Sequence, residues 1–266
     1  MKTAYVMDKQ TKQTTTYLKL YKSDLHIHTC LSPCADLYMT PRKIINQCAE
    51  KGLDIIAVCD HNSCENAKYV IEAAKKYNIM VIPGMEITTI EEVHLLGLFS
   101  NYRQSLKMQN KVYSELEGEN NEDLFGVQAV VNEHDEVMNL NNKLLIGASK
   151  LTLQQAVECI HKYGGLAICS HVDREGFGII GQLGFIPDDL SIDAIEISCH
   201  TTNIKPLLER NPELGKFPMF FSSDAHTLDC IGAAFTVLLL NNPSFREIKL
   251  AIHERAQRQI RSHGVC

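Results

Sequence analysis

Residues 40–84, TPRKIINQCAEKGLDIIAVCDHNSCENAKYVIEAAKKYNIMVIPG, settle the fold class. Thr40 is a good N-cap with Pro41 at the first helical position, and Gly52 stops the helix just past the apolar positions Ile44, Ile45 and Cys48. A strand over Ile55 to Cys59 follows at once. Asn62 or Ser63 is expected to cap a second helix running to about Tyr77, before Ile79 to Ile82 form another strand closed by Pro83-Gly84. Strand, helix and strand in such short succession predict a largely parallel α/β sheet or barrel. The same rhythm extends outward from about Tyr21 to the C-terminal end. Val93 to Phe99, Leu166 to Cys169, Ile192 to Ile197 and Phe217 to Phe221 read as strands. Thr152 and Gln155 form a capping box for a helix whose buried face is Leu153, Val157 and Ile160, and a last helix presents Phe245, Ile248 and Ile252. Between about 100 and 150 the rhythm lapses into a polar helix, the acidic stretch Glu115 to Asp123, and a hairpin around Asn132 to Glu136. This is expected to be an insertion.

With 266 residues, 45% of them hydrophobic and 22% charged, the chain is large enough for one domain with a core of its own. That domain is expected over 21–266, after a polar tail at 1–20. Apolar runs of about six residues are far below the length of a membrane span, and the N-terminal residues lack the apolar centre of a secretory signal, so a cytoplasmic location is expected. Most of the ten cysteines sit in apolar strand or helix patterns and read as reduced, small hydrophobes. A net charge of −6 argues against a dedicated duplex binder, while leaving a nucleotide or oligonucleotide open as substrate.

The polar residues that break the apolar pattern gather where strands stop. Asp24-Leu25-His26-Ile27-His28 ends the first strand, Cys59-Asp60-His61 the second and Gly84-Met85-Glu86 the third. Val93-His94, Ser170-His171 and Ser223-Asp224-Ala225-His226 follow, and together these places hold six of the eleven histidines. The C-terminal ends of parallel strands open onto one face, so these groups are able to converge. His26 and His28, two apart on a strand, point the same way and suit chelation of one ion. Imidazoles mixed with carboxylates suit Zn, Mn or Fe, and about nine candidate ligands imply two or three ions, with Glu86 as the natural bridge.

The ordered series Asp-Leu-His-Ile-His-Thr, Cys-Asp-His-Asn, Gly-Met-Glu, Val-His-Leu-Leu-Gly, Ser-His-Val and Ser-Asp-Ala-His resembles the polymerase and histidinol phosphatase (PHP) domain family, over Tyr21 to about Thr236. The resemblance implies a distorted (β/α)7 barrel with a trinuclear metal site and phosphoesterase activity. Carried over position by position, it implies one metal on His26, His28, Glu86 and Asp224. A second falls on Glu86, His94 and His171, and a third on His61 and His226 with an acidic residue after the first motif. Here that residue is Asp36, which must reach the site from a longer loop than the usual pattern has. Asp24 and Asp60 read as acceptors that fix a histidine tautomer. Arg174, three residues beyond His171, is the best placed phosphate ligand, with Arg42 and Lys43 as fallbacks.

The expected activity is therefore phosphoester hydrolysis by a metal-activated water, with Glu86, His61 and His226 nearest the chemistry. A phosphomonoesterase is the first choice and a phosphodiesterase or exonuclease the second, on a small phosphorylated metabolite, a nucleotide or an oligonucleotide end. Two readings compete: a non-catalytic metal-binding module, and an amidohydrolase-like C–N hydrolase, which lacks its usual bridging lysine here. Gly176 to Gly181 has dinucleotide-binding spacing but the wrong context, because His171 to Glu175 separates it from the strand, and it reads as a loop over the site. Cys30 and Cys34 are too few for a thiolate site. His134, His161, His200, His253 and His263 fall outside the motifs, and Glu196 ends a strand on the active face.

Overall fold

The computed structural model describes residues 17–265; most of the expected polar tail, residues 1–16, lies outside the described residues. The elements run β1 (Lys19–Ile27), α1 (Pro41–Glu50), β2 (Ile55–Val58), α2 (Ala67–Ala74), β3 (Met80–Thr88), β4 (His94–Leu98), α3 (Tyr102–Glu115), α4 (Glu122–Phe125), β5 (Ala129–Val131) and β6 (Val137–Leu140). They continue α5 (Leu153–Lys162), β7 (Leu166–Cys169), α6 (Ile179–Leu183), β8 (Ala194–Ile197), α7 (Lys205–Arg210), β9 (Met219–Phe221), β10 (Ala234–Leu240), α8 (Phe245–Ile252) and β11 (Gln259–Val265).

Nine strands form one sheet in the order β11-β10-β1-β2-β3-β4-β7-β8-β9. Seven of them, β1 to β4 and β7 to β9, make the barrel wall. It closes where the segment after β9 pairs with the end of β1: the His28 N–H donates to the Ala225 carbonyl at 3.0 Å and the Ala225 N–H to the His26 carbonyl at 3.3 Å. The Thr236 hydroxyl spans the remaining gap, donating to the Phe221 carbonyl at 3.0 Å and accepting the Phe221 N–H at 2.8 Å. The fold is thus the expected distorted barrel, with one strand reversed. The β3–β4 connection, residues 89–93, is too short to carry a crossover helix, so β4 runs antiparallel to both neighbours. The antiparallel pair β10 and β11 lies beside β1 and was not expected, because neither strand carries site chemistry to mark it.

The wall strands are buried on both sides, and successive residues alternate between two clusters with the two-residue period of a strand. Ile55, Ala57, Ile82, Leu96, Leu98, Leu166, Ile168, Ala194 and Phe220 form one buried cluster closed by Phe245, Ile248, Ala251 and Ile252 of α8. Ile56, Val58, Met85, Ile87 and Leu95 pack in another with residues of α1, α2, α3 and α5. His94 shares the face of Leu96 and Leu98, and Glu86 that of Ile82. The side of each strand that is a plug at one end therefore carries polar groups at the other. The second helix starts later than Asn62. Asn62 instead lies at φ 52° and donates to the carbonyls of Leu145 and Gly147 at 2.9 and 2.8 Å, tying the end of the inserted segment to the barrel mouth. Among the described residues all nine cysteines are free, and Cys48, Cys59, Cys64 and Cys169 are buried.

Glu247 on α8 anchors the chain entering β11. Its carboxylate accepts from Arg258 Nε at 2.8 Å, Arg258 Nη2 at 3.1 Å and the Asn241 N–H at 2.7 Å. Burial pushes its pKa up, but Arg258 and the Asn241 N–H outweigh this and hold it below the usual 4.5. A depressed carboxylate pKa adds stability that is complete above the unfolded-state value and is lost as pH falls through the folded-state value. Glu247→Gln is expected to cost about 1–2 kcal/mol near neutrality, with the difference from the parent shrinking as pH falls through the lowered folded-state value. Urea unfolding across pH checks this; a difference that is constant with pH contradicts it.

Candidate metal centre

The strand register delivers the polar groups to one point. Beyond the last β2–β3 ladder pair, Glu86 and His61 are bridged through the backbone: the Glu86 N–H donates to the Asp60 carbonyl at 3.0 Å and the Asn62 N–H to the Glu86 carbonyl at 2.8 Å. The Glu86 carboxylate, 1% exposed, then stands among five imidazoles. Its Oε1 lies 2.9 Å from His94 Nδ1, 3.2 Å from His171 Nε2 and 3.5 Å from His26 Nε2. Its Oε2 lies 3.2 Å from His61 Nδ1 and 3.4 Å from His28 Nε2. Asp224 Oδ1 is 3.1 Å from His28 Nε2 and 3.3 Å from His26 Nε2. His226 closes the group, its ring stacked on His28 with centroids 4.2 Å apart.

Many of these contacts are short without being hydrogen bonds. Among the described residues, His61 Nδ1, His94 Nδ1, His171 Nδ1 and Asp224 Oδ1 are buried and have no hydrogen-bond partner. Two imidazole nitrogens, Nε2 of His26 and of His28, face each other at 3.1 Å. Orphaned buried donors and acceptors are costly, and lone pairs converging on common points are what cations need. The donor atoms fall into three sets, each within 4.8 Å: His26, His28, Glu86 and Asp224; His61, Glu86 and His94; and His28, His61 and His226. Imidazole and carboxylate donors at this spacing fit divalent metal ions.

The polar layer beneath fixes which nitrogen is offered. His26 Nδ1–H donates to Glu196 Oε1 at 3.0 Å, and His28 Nδ1–H to Ser32 Oγ at 2.9 Å, which in turn donates to Asp60 Oδ1 at 2.7 Å. Both Nε2 lone pairs are thereby turned inward. Burial works against a charged His26, yet Glu196, Asp224 and Glu86 hold its pKa well above the usual value, and Asp224 and Glu86 likewise lift His28 to about 9. Burial drives His61 well below the ordinary value and His226 down to about 4, leaving both neutral near pH 7. For Glu86, the neighbouring imidazoles of His94 and His26 overcome burial and keep the carboxylate ionised.

Two expectations are corrected. Asp36 does not enter the centre: it is exposed, its backbone N–H donates to the His226 carbonyl at 2.8 Å, and its carboxylate turns back to accept the Tyr38 N–H at 2.8 Å in a local turn. Cys34 of the same loop lines the cavity instead. Asp24 touches no imidazole. It accepts from the Ser223 N–H and hydroxyl at 3.0 and 2.6 Å and from the Gly232 N–H at 2.9 Å, steadying the loop that carries Asp224, while burial raises its pKa to about 6. His171, expected beside Glu86 and His94, has its Nε2 3.2 Å from Glu86 Oε1, the oxygen that His94 Nδ1 also approaches, while His61 completes a donor set with the same two residues. Glu196, seen in the sequence only as a polar strand end, orients His26 and also accepts the His171 N–H at 3.2 Å.

A cavity of about 220 Å³ opens above the centre, lined by Cys34, His61, Glu86, His94, Ile146, His171, Arg174, Phe177, Asp224 and His226 among others. Arg174 Nη1 donates to Asp224 Oδ2 at 2.7 Å, so this carboxylate shows one oxygen to the arginine and the other to the histidines. Arg42 is paired with Asp135, and Lys43 lies over the Tyr38 ring; neither lines the cavity. Gly178 to Gly181 open only the short α6, so the dinucleotide reading fails. Four non-glycine residues at the cavity or beside it have left-handed backbone: His171 at φ 28°, Asp224 at 50°, Asn62 at 52° and Phe177 at 60°. Such strain persists where the surroundings enforce it, and it clusters at functional sites.

With this geometry in place, comparison with known proteins is decisive for kinship. The model of the PHP domain matches residues 24–175, more than half of the chain, and that of the PHP-associated segment matches 214–256. The chain belongs to the PHP domain family. An uncharacterised protein of Methanocaldococcus jannaschii is 33% identical over 88 residues, 30% of this PHP chain and 51% of that protein. A 5'-3' exoribonuclease of Haemophilus influenzae is 32% identical over 80 residues, 29% of this chain and 28% of the relative. Those matches thus span about half of the first relative and under a third of the second. The lesion-specific endonuclease Q of Pyrococcus furiosus superposes with a TM-score of 0.71 at 18% identity, over 93% of this chain and 59% of that one. A two-domain protein of Bacteroides vulgatus with a predicted PHP-like phosphoesterase superposes at 0.54 and 17% identity, over 90% of this chain and 64% of that one. At these identities both show a shared barrel. Among the described residues no helix is long and apolar enough to cross a membrane.

If the three donor sets hold cations, Glu86→Ala is expected to lose at least one ion per chain relative to the parent, and Asp36→Ala to keep the parent stoichiometry. Elemental analysis of the dialysed proteins checks both. Addition of Mn to the chelated parent is expected to raise Tm, by about 2.7 kcal/mol of added stability at a hundred times Kd; an unchanged Tm contradicts a native-state site.

Proposed function

We propose that this PHP chain is a metal-dependent phosphoesterase acting on the terminal phosphate ester of a nucleotide or short oligonucleotide. The observation that carries the reading is the convergence of five buried imidazoles and the half-buried His226 with Glu86 and Asp224 under a cavity that also holds a guanidinium. In this proposal His26, His28, Glu86 and Asp224 hold one ion, His61, Glu86 and His94 a second, and His28, His61 and His226 a third where it is filled. Zn, Mn and Fe all suit such ligands. Bound divalent ions would supply a water of lowered pKa and neutralise charge on the phosphoryl oxygens.

The chain's own residues supply the rest. Arg174 is held by Asp224 and is partly exposed at the cavity wall, so its remaining donors suit a phosphate. His226 Nδ1–H donates to the Asp224 carbonyl at 2.8 Å, which leaves Nε2 as its lone-pair nitrogen. The cavity, about 220 Å³, is smaller than the roughly 300–1,000 Å³ of sites for drug-sized ligands. It suits a phosphoryl group with its sugar and no internal duplex segment. This size favours a monoester as first substrate. A terminal diester is second, supported by the exoribonuclease name of one relative and by a Eggerthella lenta relative named as a cyclic-phosphate diphosphodiesterase.

The test is hydrolysis by the Mn- or Zn-loaded chain of 4-nitrophenyl phosphate, bis(4-nitrophenyl) phosphate, 5'-nucleotides and short oligonucleotides. Turnover of terminal esters is expected, abolished in Glu86→Ala. Loss of one charge-assisted phosphate contact in Arg174→Ala should lower kcat/KM about ten- to a hundredfold. Bound metal with no turnover across the panel would make the chain a metal-binding module and refute the proposal.

A further inference from the structure

Phe177 occupies a place where its residue type is costly. It lies at φ 60° in the segment Gly176-Phe177-Gly178, a conformation glycine adopts freely and a bulky side chain does not. The neighbouring glycine has a packing reason. A Cβ at Gly178 would stand 2.4 Å from the Arg174 carbonyl oxygen. No such crowding explains a phenylalanine at 177. Its backbone is pinned, with its carbonyl accepting the His94 N–H at 2.9 Å, and its ring lies flat on the His94 imidazole, centroids 4.4 Å apart and planes 20° apart.

Phe177 is nonetheless 42% exposed while lining the same cavity as Arg174 and Ile146 of the inserted segment. One face rests on a metal-centre histidine, and the exposed surface remains at the entrance, in a loop that also places the phosphate-seeking guanidinium three residues earlier. An aromatic plane beside a cation, at the mouth of a cavity that admits little more than a sugar phosphate, matches a substrate with a planar ring next to its phosphate.

We propose that Phe177 is a specificity-determining residue whose exposed face stacks on the nucleobase of the substrate while Arg174 meets its phosphate. The inference rests on the phosphoesterase reading and deepens it: the group that leaves with, or remains on, the ester is a nucleoside and not an aliphatic polyol. Stacking of a base on an aromatic side chain has the strength required, being worth about tenfold or more in binding per base.

The test compares a nucleoside 5'-monophosphate with ribose 5-phosphate, which differ only by the base, on the metal-loaded full chain and its Phe177→Leu and Phe177→Tyr variants. The parent is expected to prefer the nucleotide at least tenfold in kcat/KM. Phe177→Leu should raise KM for the nucleotide about tenfold with kcat little changed, leave ribose 5-phosphate within twofold, and keep the parent's metal content; Phe177→Tyr should restore the nucleotide KM. Equal losses on both substrates, or none on either, would overturn the proposal, since a ring that only shelters His94 does not sense the base. Calorimetric binding of the same two compounds gives a second readout. If the parent turns over neither compound, the phosphoesterase reading fails on its own, while a nucleotide affinity that exceeds that of ribose 5-phosphate and collapses in Phe177→Leu still supports stacking. Equal affinities refute it.

Discussion

A single buried carboxylate organises the molecule's polar end. Glu86 is removed from water and surrounded by five imidazoles, and burying such a charge is affordable only with compensation. The compensation it finds in the protein is incomplete: His61 and His94 approach it closely through nitrogens that make no hydrogen bond. Cations shared between Glu86 and these nitrogens would resolve the mismatch. The arrangement therefore reads as a set of ligands, and poorly as a set of ion pairs.

The barrel exists in a form that makes this juxtaposition exact to within a bond length. Its inner face is apolar from Ile55 to Phe220, closed at one end by α8, and the same alternation brings Glu86, His94 and Glu196 up at the other. β4 is reversed, so His94 reaches this end from the start of its strand, where the neighbours contribute from their ends. Where the register alone does not suffice, the chain accepts left-handed backbone at His171 and Asp224 and braces it with Asp24, Glu196 and Asp173. Asp173 accepts from the Ser198 N–H and hydroxyl at 2.8 and 2.6 Å, holding the loop after β8 against the loop of Arg174.

Much of this was legible in the sequence because ligands at strand ends interrupt apolar runs, and the interruption is local. His26, His28, Glu86, His94 and Asp224 all announce themselves in that way, as do the strands that carry them. What stayed hidden depends on long-range contact. Asp24 and Asp60 look alike beside a histidine, yet only Asp60 reaches an imidazole, through Ser32, because the first turns toward the Ser223 loop. Asp36 follows the histidine motif as an acidic ligand would, but three residues of extra loop, Pro33 to Ala35, let its carboxylate satisfy itself on Tyr38. β10 and β11 carry no site chemistry, and the packing of Phe177 on His94 joins a loop to a strand far away in sequence.

The central claim is that Glu86 joins at least two cations in one buried centre. Anomalous diffraction from crystals of the Mn- or Zn-loaded chain tests it most directly. The account predicts at least two peaks about 3.5–4 Å apart, both within bonding reach of the Glu86 carboxylate at about 2.0–2.2 Å, with the Asp36 carboxylate touching none. A single peak away from Glu86, or peaks ligated by Asp36 in its place, would contradict it.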